Sequence, residues 1–109
     1  MSRLLVRKDG CLVVVRLEEV DWIEAEGNYV RLHDRTASHR YRRTLDALES
    51  RLDMRRFVRT HRSAIVNVER ILELHPTGSG GYDVLLRDGT RVPLSRGYKK
   101  RVFVLLGKE

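Results

Sequence analysis

Within the segment FVRTHRSAIVN, residues 57–67, a cation, a hydroxyl, an imidazole, a second cation and a second hydroxyl stand between two apolar patches. His61 two positions before Ser63 raises the chemistry of a base and a nucleophile, since an imidazole can take the proton of a hydroxyl. A hydrolytic serine also needs an orienting carboxylate and a strained frame, and no G-x-S-x-G elbow occurs. His33, His39, His61 and His75 are dispersed without metal-ligand spacing, and the single cysteine, Cys11, cannot start a C-x-x-C site. Gly78-Ser79-Gly80-Gly81 lacks the G-K-[ST] ending of a phosphate-binding loop. The expectation is a domain that is not an enzyme and uses neither metal nor cofactor.

These side chains can, however, make hydrogen bonds. Three polar interruptions share that property: Gly27-Asn28, His61-Arg62-Ser63 and Ser95-Arg96-Gly97. An asparagine amide matches the edge of adenine, an arginine fork matches guanine or a phosphate, and a serine makes a short phosphate contact. Each has a plainer reading as well: Asn28 tolerates a positive φ in a turn, Arg62 is merely solvated, and Ser95 caps a helix. Residue types alone leave both readings open.

Composition narrows the partner. The 109 residues suit one domain with its own core, and 22 Lys and Arg against 15 Asp and Glu leave a formal charge of +7. The excess sits in the middle, where residues 31–62 carry ten basic and four acidic groups. A polyanion fits that balance, although a basic run is also the ordinary composition of a solvated face. Cys11, beside Leu12 to Val15, is expected to be a small core residue. With no partner for a disulfide it suits a reducing cytoplasm. No apolar run exceeds five residues, so neither a signal peptide nor a membrane span is expected.

The elements that must position these residues follow from alternation and turn chemistry. Arg3–Lys8 and Cys11–Arg16 flank Asp9-Gly10 as a β-hairpin. Trp22–Glu26 and Tyr29–Leu32 form two strands around Gly27-Asn28, with Val30 and Leu32 on one face and Trp22 in the core. His39–Arg43 is extended, and Thr44 caps a helix that ends near Asp53 and shows Leu45, Leu48 and Leu52 on one side. Strands over 70–75, 82–87 and 90–94 are joined by the glycine loop and a second Asp-Gly turn at 88–89. Ser95 then caps a closing helix whose Tyr98, Val102, Leu105 and Leu106 face the core, leaving Lys99, Lys100 and Arg101 outside.

WIEAEGNYVRLH at 22–33, RTLDALESRL at 43–52, FVRTHRSAIVNVERI at 57–71 and VPLSRGYKKRV at 92–102 resemble, in order and spacing, the LytTR DNA-binding domain of bacterial transcription regulators. The resemblance covers nearly the whole chain. It implies an elongated, mostly β fold of about ten strands in small sheets with two short helices, binding double-stranded promoter DNA through loops along one edge and bending it. It places Asn28, Arg62 and Arg96 against bases or grooves, and Arg59, Ser63, Ser95, Lys99 and Lys100 against the DNA backbone. His61 and Asn67 orient the loop, whose apolar flanks Phe57, Val58, Ile65 and Val66 anchor an exposed middle. The family also implies paired repeat sites, a possible dimer on DNA, and a receiver or sensor domain in a longer parent chain. A small basic RNA-binding or ribosome-associated β domain, or a module docking on an acidic protein, is the competing reading of the charge.

Overall fold

In the computed structural model, which describes residues 1–108, Asp9 and Gly10 both take positive φ, +49° and +81°. That is the twist of a two-residue turn between β1 (Arg3–Lys8) and β2 (Cys11–Arg16). The hairpin buries Leu4, Val6 and Val15 and turns its other face outward. Cys11 lies on the surface, contrary to the core position expected of it. Cys11 shares the face of Val13 and Val15, but it pairs with Lys8 next to the Asp9-Gly10 turn, at a hairpin tip that reaches beyond the core.

A single turn of 3-10 helix at Leu17–Glu19 leads into β3 (Val20–Glu26), followed by β4 (Tyr29–Asp34) and β5 (Ser38–Tyr41). The Thr44 hydroxyl accepts the Ala47 amide at 3.2 Å and caps α1 (Leu45–Glu49). The regular helix is shorter than the expected run to Asp53, but Leu45, Leu48 and Leu52 are all buried. β6 (Phe57–His61) and β7 (Ala64–Asn67) complete a five-stranded antiparallel sheet of order β5-β4-β3-β7-β6.

This sheet is covered on both faces. Ile23, Val30, Leu32, Phe57 and Ile65 join the hairpin and α1 in one core. Val58, Ala64 and Val66 join a second core on the opposite side. All four residues of β7 are therefore buried despite strict alternation, Ile65 serving one core and its two neighbours the other. Trp22 is half-buried against the second core and stacks on His33 with ring centroids 4.5 Å apart. The second core is closed by β8 (Ile71–Pro76), β9 (Tyr82–Leu86) and β10 (Arg91–Leu94), a sheet of order β10-β9-β8, together with α2 (Lys99–Leu105).

The connection between β9 and β10 is a loop over residues 87–90, closed by Leu86 N–H donating to the Thr90 carbonyl, rather than the two-residue turn expected at 88–89. In α2 only Val102 is fully buried, while Tyr98 and Leu106 are exposed. Leu105 packs against the second core beside Val102, so the expected face holds within α2, while Tyr98 lies before it in a turn of 3-10 helix at Arg96–Tyr98 and Leu106 follows its end. The ten strands and two short helices span 45 × 24 × 22 Å among the described residues, the elongated β architecture anticipated.

Candidate nucleic-acid interface

Antiparallel pairing decides where the polar turns go. Glu26 pairs with Tyr29 across the Gly27-Asn28 turn, and His61 pairs with Ala64 across Arg62-Ser63. Because β3 pairs with β7 through Glu24 and Ala64, and the Ala25 amide donates to the Ser63 carbonyl at 2.9 Å, both turns lie at the same end of the sheet. The Ser95 amide donates to the Thr60 carbonyl at 2.8 Å and brings the third segment, Ser95-Arg96-Gly97, to that end.

Asn28, Arg62 and Arg96 are exposed, and among the described residues their side chains take no hydrogen bond or ion pair. In the first turn Gly27 carries the positive φ of +66°, so Asn28 is not there to supply a left-handed conformation. Arg96 lies along the glycine loop, where a Cβ built on Gly80 would stand 2.8 Å from its Cδ. A shallow groove runs there between His61 and Ser95 on one wall and Thr77 and Ser79 on the other.

The segment 57–63 is a hairpin more than an exposed loop. Thr60 is fully buried and only Arg62 is fully exposed, because β6 continues to His61 through a bulge between Arg59 and His61. The Ser63 amide donates to His61 Nδ1 at 3.1 Å, which requires that nitrogen to carry no proton. The Ser63 hydroxyl, 2.8 Å away, therefore donates to Nδ1 as well. Asn67 is buried, donating from Nδ2 to the Val20 carbonyl at 2.8 Å and accepting the Glu69 amide at 3.0 Å. It clamps the end of β7 to the start of β3, away from the turn.

Arg59 is turned into the protein, its side chain only 10% exposed. Nε donates to the His61 carbonyl and Nη2 to the Arg62 carbonyl, while Nη1 donates to Asp46 and Glu49. Burial acts against the guanidinium charge, but the two carboxylates outweigh it and push its pKa up. Ser95 caps no helix: its hydroxyl reaches the Thr60 carbonyl at 3.4 Å. Lys99 is half-buried and Lys100 exposed, and neither is paired among the described residues.

Sequence reasoning passed over the cations beside Asn28. Arg40 lies over the Tyr29 ring at 4.2 Å and Arg42 at 6.0 Å, placed there by the pairing of β5 with β4. The hydrogen-bonded fork of Arg31 holds the Glu26 carboxyl below the usual range, and this carboxylate also pairs with Arg40 at 3.0 Å. Arg42 is left as an unpaired cation next to the turn among the described residues. No spacing rule could have found it, since the contact depends on strand register.

A model of the LytTr DNA-binding domain family matches residues 10–107. The chain is 32% identical over 95 residues to the sensory transduction protein LytT of Bacillus subtilis, covering 87% of this chain and 39% of that protein. It is 28% identical over 99 residues to the transcriptional regulatory protein LytR of Staphylococcus aureus, covering 89% of this chain and 39% of the relative. It thus spans about two-fifths of the length of these relatives. A solved LytTr DNA-binding domain from Bacillus cereus superposes with a TM-score of 0.88 at 26% identity over 98% of both chains.

Proposed function

The chain belongs to the LytTr DNA-binding domain family, and we propose that it acts as the sequence-reading output domain of a bacterial transcription regulator, gripping double-stranded promoter DNA with the end of the sheet that carries Asn28, Arg62 and Arg96. One observation carries the reading: three segments far apart in sequence converge there and present side chains with no partner among the described residues. Unpaired amide and guanidinium groups on short turns suit base edges in a groove.

Lys99 and Lys100 flank these groups and serve as phosphate contacts, with Arg42 extending the charged surface beyond Asn28, while Ser63 and Ser95 give their donors to His61 Nδ1 and the Thr60 carbonyl and shape the turns. His61 and Asn67 act from within, one by shaping the turn and the other by fixing β7 to β3. Turns spread along one end of a rigid framework engage successive grooves best when the duplex curves toward them, so binding bends the DNA. Paired repeats, a dimer on DNA, a receiver or sensor elsewhere in a longer chain, and work in the cytoplasm complete the proposal. No helix among the described residues is long and apolar enough to cross a membrane.

Selection from a random duplex library tests it. A recurring pair of short motifs at fixed spacing is the expected result. With about five phosphates neutralised, log K falls against log salt with a slope near −4 to −5. Preference for structured RNA in competition, or equal affinity for all duplexes, overturns the reading.

A further inference from the structure

Arg59 is the cation of the FVRTHRS segment that does not face solvent, and its contacts have a specific geometry. The carbonyls of His61 and Arg62 belong to the two peptide planes on either side of the Arg62 Cα. Nε of Arg59 holds the first at 2.8 Å and Nη2 holds the second at 2.6 Å. Holding both planes fixes φ and ψ of Arg62, and with them the direction in which its side chain leaves the backbone. The other edge of the same guanidinium is held by Asp46 at 2.9 Å and Glu49 at 2.7 Å. These residues are three apart on α1 and lie on one face of it. The helix is itself seated by its Thr44 cap and by buried Leu45 and Leu48.

We propose that Arg59 is a positioning residue that ties the Arg62 turn to α1 and thereby determines how Arg62 is presented to DNA. The inference rests on the reading of Arg62 as a groove contact. Four of the five N–H donors of the guanidinium are occupied by the protein, which leaves little to offer a phosphate. Two carboxylates already neutralise its charge, so it releases no counterion when DNA binds. Lysine cannot substitute, because one nitrogen cannot bridge two carbonyls and two carboxylates in a plane.

The test uses the intact chain and a duplex selected by the wild type. The variants are Arg59→Lys, the double change Asp46→Asn with Glu49→Gln, Arg62→Ala, and Arg59→Lys combined with Arg62→Ala. Asp46 and Glu49 are exposed enough that their neutral forms keep the fold even if Arg59→Lys does not. The expected result is at least about a tenfold loss on the selected site for Arg59→Lys and for the carboxylate pair. Random duplex changes little, the salt slope stays at the wild-type value, and no further loss appears when Arg62→Ala is added. Amide 15N relaxation of Arg62 and Ser63 in the free protein rises in mobility in both variants. A salt slope lowered by about one with equal weakening on all duplexes assigns Arg59 to phosphate and overturns the proposal. Losses that add fully to those of Arg62→Ala, or unchanged relaxation, overturn it too. Should the wild type itself prefer no duplex, the reading of the site fails, while the relaxation measurement still decides whether Arg59 holds the turn.

Discussion

The Ser95 amide and the Thr60 carbonyl, 2.8 Å apart, join the end of β10 to the end of β6 and set Arg96 beside the Arg62 turn. That bond runs from backbone to backbone, and the Ser95 hydroxyl reaches the same carbonyl at 3.4 Å. Around this junction the contributions of single residues separate cleanly.

Arg96 leaves a turn beside Gly97, whereas Lys100 stands on the exposed side of α2. Arg96→Ala costs about 1–3 kcal/mol on the selected duplex and relaxes preference at one base position, while Lys100→Ala weakens every sequence and lowers the salt slope by about one. Titrations on the selected site, on single-base variants and on random duplex at two salt concentrations check this. Equal losses on all duplexes for Arg96→Ala would reassign it to the phosphates.

Gly80 has φ +90° and almost touches the Arg96 stem. Gly80→Ala therefore strains the loop by about 1–2 kcal/mol, and its methyl group displaces the arginine. Thermal unfolding shows the strain. Binding shows the displacement, as a loss confined to the base position that Arg96→Ala relaxes.

The Thr60 hydroxyl is buried and has no hydrogen-bond partner among the described residues. Thr60→Val keeps the shape and the Ser95 bond while removing the unpaired group, so it stabilises the fold by about 1 kcal/mol and leaves DNA affinity unchanged. Urea unfolding gives the answer; a destabilised variant would mean that the hydroxyl is satisfied in solution.

Burial acts to raise the pKa of Asp34, but the amides of Thr36 and Ala37 and the ring of His39 more than offset it and hold the carboxyl below its ordinary value. A carboxylate depressed in the folded state stabilises above the unfolded value of about 3.9, and this stabilisation disappears as pH falls through the lower folded value. Asp34→Asn is thus less stable than the wild type by about 1–2 kcal/mol at pH 7, with the gap closing as pH falls below the unfolded value of about 3.9. Melting curves across that range follow it, and a gap independent of pH would contradict the charge as its source.

Much of this protein was legible before its coordinates, and the reason is locality. Asp9-Gly10 between two alternating runs specifies a hairpin through its own backbone preferences. Thr44 ahead of Leu45 and Leu48 specifies a capped helix within a few residues. Gly27-Asn28, His61-Arg62-Ser63 and Ser95-Arg96-Gly97 each mark a polar break between core segments, and the order of four motifs pointed to the family.

What each polar side chain is free to do depends on contacts made across the fold. Arg59 and Arg62 are both arginines in one polar run, yet a bulge turns the first toward carboxylates 13 and 10 residues back and leaves the second exposed. Ser95 resembles a helix cap until the Thr60 carbonyl, 35 residues away, takes its amide and hydroxyl. Cys11 resembles core until the hairpin places it at its tip, opposite Lys8 and beyond the packed residues. In each case residue type and local spacing define the groups available for bonding, while strand register and long-range packing choose their partners. Local backbone preferences and residue spacing therefore set the elements and the polar turns between them; only the folded pairing of β3 with β7 and of Ser95 with Thr60 could gather those turns at one end.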